Sequence, residues 1–203
     1  MPQQRLVQNG NGTLLAATVE ALAGTLGLRD EGTGSHCDRV TELASRLGRR
    51  LGLSDAALDN LVNAARVHDI GKVGVPDSVL RKPDSLLPAE WKLMTGHCAW
   101  GAELLGRIPG LERVGLIVRH HHERFNGSGY PDGLAGEDIP LESRLLAVAD
   151  AYVAMTEARP YRPRLAQDQV AGELARGSGS KFDPALVDAL WLELESRELV
   201  PSA

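Results

Sequence analysis

Val40, Leu43, Leu47 and Leu51 recur at intervals of three or four residues, which marks one apolar stripe on a helix opening around Ser35 or His36 and closing near Leu51. The same periodicity predicts a helix over Thr13–Gly27. A third begins after Ser54, a suitable N-cap, with the stripe Leu58, Leu61, Val62 and Ala65. Pro88 suits the first turn of a fourth, carrying Leu93, Met94, Leu104 and Leu105 until Pro109 and Gly110 interrupt it. Leu111–His122 reads as a fifth helix and Leu141–Glu157 as a sixth. Two more follow near Ala166–Ala175 and Pro184–Ser196, while the segment from Glu123 to Pro140 has no strong period. The expectation is an all-α bundle of about seven to eight helices over residues 13–203, preceded by a flexible leader over residues 1–12.

Composition agrees with packed helices, since Leu and Ala are abundant and only 4% of the 203 residues are aromatic. A net charge of −5 gives no basic face for a nucleic-acid polymer. The two cysteines, Cys37 and Cys98, are too few for a disulfide framework and point to the cytoplasm. No apolar run approaches the roughly 18 residues needed to span a bilayer, so no membrane association is expected.

The histidines change the picture. Three of the six are adjacent, His120, His121 and His122, and the other three fall on apolar stripes or helix ends. His36 extends the stripe of Val40 and Leu43, His68 and Asp69 close the third helix, and His97 lies on the side of Leu93 and Leu104. Asp150 interrupts the apolar run LLAVADAYVAM. Taken singly, such a histidine is ordinarily a hydrogen-bonded core residue, Asp150 a cap or ion-pair partner, and His68–Asp69 a charge pair at a helix end. Taken together they are neutral imidazoles and carboxylates converging on a core, the donor set of divalent transition metals, which would also relieve the cost of burying the carboxylates. Seven candidates (His36, His68, Asp69, His97, His121, His122 and Asp150) exceed the needs of one ion and suggest two, of iron, manganese, zinc, nickel or cobalt, with Asp69 bridging.

HDIGK at 68–72, HHERFNGSGYPDG at 121–133, LAVADAY at 146–152 and RPYR at 159–162 resemble the HD-GYP family of the HD metal-dependent phosphohydrolase superfamily. GSHCDRV at 34–40, GH at 96–97 and KFDP at 181–184 extend the resemblance over most of the chain. It implies the HD-domain helical bundle, with His36, His68, Asp69 and Asp150 on a first metal and His97, His121 and His122 on a second that shares Asp69. It further implies that Asp69 and Lys72 are catalytic, Lys72 contacting the scissile phosphate or leaving group. Arg159 and Arg162 would grip nucleotide phosphates, a task suited to bidentate guanidinium contacts. The implied reaction is hydrolysis of cyclic di-GMP to linear pGpG and then, in many members of the family, to GMP.

Gly127, Gly129, Tyr130 and Pro131 are read as a structural loop, the glycines allowing positive backbone angles. Glu123 either holds the outer nitrogen of a ligating histidine or faces water. His120 points away from His121 on a helix and is expected on the substrate side or the surface. Gly32 stands where some family members carry a glutamate for a third metal, which favours two. Alternatives at this point are an HD hydrolase of another nucleotide or phosphate ester, a non-catalytic cyclic-dinucleotide sensor, and closed structural zinc sites. A homodimer or a separate regulatory protein is left open as a partner, as is the chain's being part of a longer protein.

Overall fold

The structure, a computed structural model, describes residues 2–29, 33–158 and 164–198. Its helices are α1 (Pro2–Arg29), α2 (Thr33–Arg50), α3 (Asp55–Val67), α4 (Asp77–Leu80), α5 (Pro88–Thr95), α6 (His97–Gly106), α7 (Glu112–His120), α8 (Leu141–Thr156), α9 (Gln167–Gly177) and α10 (Pro184–Glu198). Short 3₁₀ turns cover Ile70–Gly74 and Gly136–Asp138. Among the described residues the only β pairing is two isolated bridges, Asn126 with Ala135 and Ser178 with Phe182. The fold is all-α.

The helices form where the periodicity places them because their stripes bury one another. α2 packs against α3 and α8, and α6 against α7 and the Ile70–Gly74 turn. Val40, Ala44, Leu61, Ala65, Ile117, Val118, Leu145 and Val148 are fully buried in one shared cluster. Ser54 caps α3 through a bond from the Ala57 amide to its side chain, as its position suggests. No described helix is long and apolar enough to cross a membrane.

Among the described residues the expected bundle of seven to eight helices is divided into ten α-helical segments, for two local reasons. α4 is a single turn in a segment without a readable period. The expected fourth helix is broken at Gly96, where Trp100 lies so close that a Cβ would come within 2.8 Å of its ring. That break matters, because it makes His97 the first residue of a new helix. The helix expected from Thr13 runs from Pro2, into the stretch read as a leader.

Candidate metal centre

Five helices deliver the candidate ligands to one place. His36 lies in the first turns of α2, Asp150 on the inner side of α8, and His97 at the start of α6. His68 and Asp69 follow α3 directly, and His121 caps the C-terminus of α7 with His122 behind it. The Ile70–Gly74 turn presses on α6 so tightly that a Cβ on Gly71 would land on the His97 carbonyl. Glycine is therefore what lets Asp69 and His97 face each other.

The imidazoles form a connected series. Ring centroids are 5.8 Å apart for His36 and His68, 5.4 Å for His68 and His121, 5.5 Å for His97 and His121, and 4.0 Å for His121 and His122. Two donor groups result, His36 with His68 and Asp150, and His97 with Cys98, His121 and His122; within each, the donor atoms lie within 4.8 Å of one another. Asp69 stands between them. Its Oδ2 is 3.6 Å from His68 Nε2, and its Oδ1 is 3.6 Å from His97 Nε2. Each carboxylate oxygen thus addresses a different group.

Hydrogen bonding prepares the rings for a cation. The Nδ1–H of His68, His97 and His121 donates to the carbonyls of Ala65, Met94 and Val118 at 2.7, 2.6 and 2.6 Å. A carbonyl can only accept, so in the neutral ring the Nε2 lone pair is left facing the site. His121 Nε2 is buried without a hydrogen-bond partner, an expensive state for a polar atom unless something electropositive meets it. Burial, followed by the neighbouring imidazoles, holds His121 well below its usual range, and burial pushes His122 down to about 4, so both are neutral ligands at pH 7. His97 is also lowered, chiefly by burial.

The other group is richer in negative charge. Burial opposes ionisation of Asp69, but Lys72 at 2.7 Å, then His68 and His97, outweigh it and hold the carboxyl well below its ordinary range. Asp150 is likewise depressed, burial being overcome by the bond from His36. Burial lowers His68, but Asp69 and its other partners reverse this and raise it to about 9; His36 is raised by Asp150 and Glu157 against the same burial. Imidazolium at these positions does for the carboxylates what a divalent cation would do more strongly, and a cation would displace those protons. The residues present fit two divalent metal ions.

Most predicted site residues converge here: all seven candidate ligands are in the centre, with Lys72 at its edge. Two readings are corrected. Glu123 holds no ligand's outer nitrogen and does not face water; backbone carbonyls already satisfy three of those nitrogens. Glu123 is buried and accepts the amides of Asp132 and Gly133 at 2.7 and 3.0 Å, tying the GYP loop to the end of α7. His120 is not on the surface; it is buried, with Nε2 2.9 Å from the Asp132 carboxylate that also pairs with Arg119.

In the loop, Gly127 has the expected positive φ of 79°, but Gly129 does not. Its requirement is proximity, since a Cβ there would collide with the backbone of Glu123 and Arg124. Tyr130 lies 5.2 Å from His122, ring to ring, and precedes the cis-linked Pro131. Arg159 and Arg162 lie outside the described residues.

Two residues escaped the sequence reading. Cys98 is buried with Sγ 3.5 Å from His97 Nε2; burial, then Asp69 and Glu123, push its thiol up, so it is protonated at neutral pH. Its only signal was adjacency to His97. Glu157 accepts from His36 Nδ1 at 3.0 Å and from Arg39 at 2.6 Å. It lies seven residues after Asp150, two helical turns along the same face, and that spacing was the available clue.

The HD domain family model matches residues 16–186, and the chain belongs to that family. Within it, the chain is of the HD-GYP type, carrying Gly129–Tyr130–Pro131 beside the candidate metal ligands. The cyclic di-GMP phosphodiesterase response regulator RpfG of Xanthomonas campestris pv. campestris is 44% identical over 175 residues, which are 85% of this chain and 46% of that protein. The 3'3'-cGAMP-specific phosphodiesterase 2 of Vibrio cholerae serotype O1 is 38% identical over 171 residues, 83% of this chain and 33% of that protein. The chain therefore spans between a third and a half of the length of these relatives. In fold it is similar to a V. cholerae cyclic GMP-AMP specific phosphodiesterase, with a TM-score of 0.63, 22% identity, and coverage of 80% of this chain and 44% of the other.

Proposed function

We propose that this domain is a dinuclear metal-dependent phosphodiesterase that hydrolyses cyclic di-GMP to linear pGpG and then to GMP. The observation that carries the reading is the stance of Asp69, whose two oxygens each lie 3.6 Å from an imidazole nitrogen of a different donor group. One carboxylate between two sets of imidazoles is suited to a pair of cations a few ångströms apart, the arrangement used for displacement at phosphorus. His36, His68 and Asp150 would hold one ion, and His97, His121 and His122 the other, Asp69 serving both. Such a pair, when bound, supplies Lewis acidity toward phosphate oxygens and a water acidic enough to lose a proton near pH 7.

The chain's own groups supply the rest. Lys72, at 2.7 Å from Asp69, brings an ammonium to the edge of the centre, where it would donate hydrogen bonds to the scissile phosphate or the departing oxygen. Arg159 and Arg162 are proposed to bind the phosphates of the nucleotide. The GYP loop, fastened by Glu123, sets Tyr130 against His122 at the side of the centre.

A 3'3'-cGAMP-type substrate is the second reading, favoured by the 38% identity to a phosphodiesterase named for it. Metal-loaded protein incubated with each cyclic dinucleotide, with products separated by chromatography, distinguishes the two. The expected result is faster conversion of cyclic di-GMP to pGpG and GMP; faster cGAMP cleavage reverses the order, and binding without turnover at full metal occupancy makes the domain a sensor. Asp69→Ala should lose at least one metal per chain by elemental analysis together with turnover. Full activity in that variant would exclude a shared ligand.

A further inference from the structure

α5 contributes no fully buried side chain to the core. It nevertheless carries Trp91, 52% exposed, and is preceded at its N-cap by Leu87, 60% exposed. These two lie four residues apart, on one face. Large apolar side chains left open to water forgo the free energy their burial would release, so a clustered pair beside a polar centre calls for an occupant.

Trp91 differs from the other two tryptophans. Trp191 packs against the main core, and Trp100 lies across Gly74 and Gly96, where added Cβ atoms would fall 2.9 and 2.8 Å from its ring. Trp91 instead meets Tyr130 edge to face, with centroids 6.1 Å apart and planes at 81°. Tyr130 in turn lies 5.2 Å from His122 and 6.5 Å from His97. A run of rings therefore leads from the metal-binding imidazoles to an indole still half open at the rim.

We propose that Trp91 is a stacking platform for a purine base of the nucleotide whose phosphate lies at the metal centre. The inference rests on the phosphodiesterase reading, since it needs a phosphate held at the centre. A nucleotide places a flat aromatic ring one sugar away from its phosphate, and the ring series leads outward from the imidazoles of the centre, His122 to Tyr130 at 5.2 Å and Tyr130 to Trp91 at 6.1 Å. Stacking on an indole is tolerant of base identity, so Trp91 confers affinity for nucleotides over other phosphodiesters rather than a choice between guanine and adenine. Tyr130, packed against both His122 and Trp91, sets the indole's place relative to the metals.

The test is calorimetric binding of cyclic di-GMP, GMP and ribose 5-phosphate to the metal-loaded chain. Ribose 5-phosphate keeps the sugar and phosphate of GMP and lacks its base. Trp91→Ala should weaken cyclic di-GMP and GMP about tenfold or more and leave ribose 5-phosphate within about twofold, with bound metal unchanged. Trp91→Phe should recover most of the loss. Equal weakening of all three ligands would mean that Trp91 supports the centre generally, and no weakening of any would mean that no base rests there; either overturns the platform. Wild-type protein that shows this pattern yet cleaves nothing keeps the platform and removes the hydrolase. Wild-type protein that binds none of the three removes both.

Discussion

Four imidazoles of the centre are held by an outer nitrogen. For His68, His97 and His121 the holder is a backbone carbonyl three residues earlier, which any sequence could supply. His36 is different: its Nδ1–H donates to Glu157, which Arg39 grips from the other side. A carboxylate in that position fixes the ring's tautomer and raises the basicity of Nε2, and loss of such a partner commonly costs a metal site ten- to a hundredfold in affinity. Glu157→Gln should accordingly weaken binding of one of two metals by about ten- to a hundredfold in a chelator competition, and leave the other unchanged. Equal loss of both metals, or of neither, would show that Glu157 does not act through His36. The ligands themselves were legible as histidines on apolar stripes. Glu157 was not, because a glutamate at a helix end has an ordinary solvated explanation until the fold brings α2 beside it.

Elements position these residues through junctions more than through helix interiors. His68, Asp69, His97, His121 and His122 all sit at or just beyond helix ends, where the chain is free to aim side chains that a continuing helix would send to separate faces. Periodicity located the helices well and their ends less well. The break at Gly96 was hidden because Leu93, Met94, Leu104 and Leu105 keep an apparent period across it, and Gly96 itself keeps helical backbone angles, φ −60° and ψ −22°.

Away from the site, α10 is fastened to α2 by Glu193, whose oxygens lie 2.9 and 2.8 Å from Arg46 and Arg50. Burial works against its charge, but the two guanidiniums prevail and hold it below the ordinary glutamate range. A carboxyl depressed in the folded state stabilises it above the unfolded pKa, about 4.3, and that contribution fades as pH falls through the lower folded value. Glu193→Gln should therefore cost about 1–2 kcal/mol at pH 7, with its melting curve converging on the wild type's as pH drops below about 4. Parallel curves at all pH values would mean that the charge contributes nothing.

For the molecule as a whole, the centre is where five helices meet, so ligand binding and folding are linked. An unfolded chain scatters these ligands and binds metal weakly, while the folded chain presents them together. Each metal present at a hundredfold excess over its dissociation constant should add about 2.7 kcal/mol to stability, seen as a rise in melting temperature that chelator reverses. A melting temperature indifferent to both manganese and chelator would separate the centre from the fold.

The all-α class, the buried stripes and the seven candidate ligands were determined by local sequence, because apolar period and residue chemistry are properties of neighbours along the chain. Which oxygen of Asp69 faces which group, the grip of Glu157 on His36, the burial of His120 and Glu123 beneath the GYP loop, and the approach of Trp91 to Tyr130 were decided by tertiary structure alone. Those relations join residues from separate helices, and their distances arise only when the helices pack.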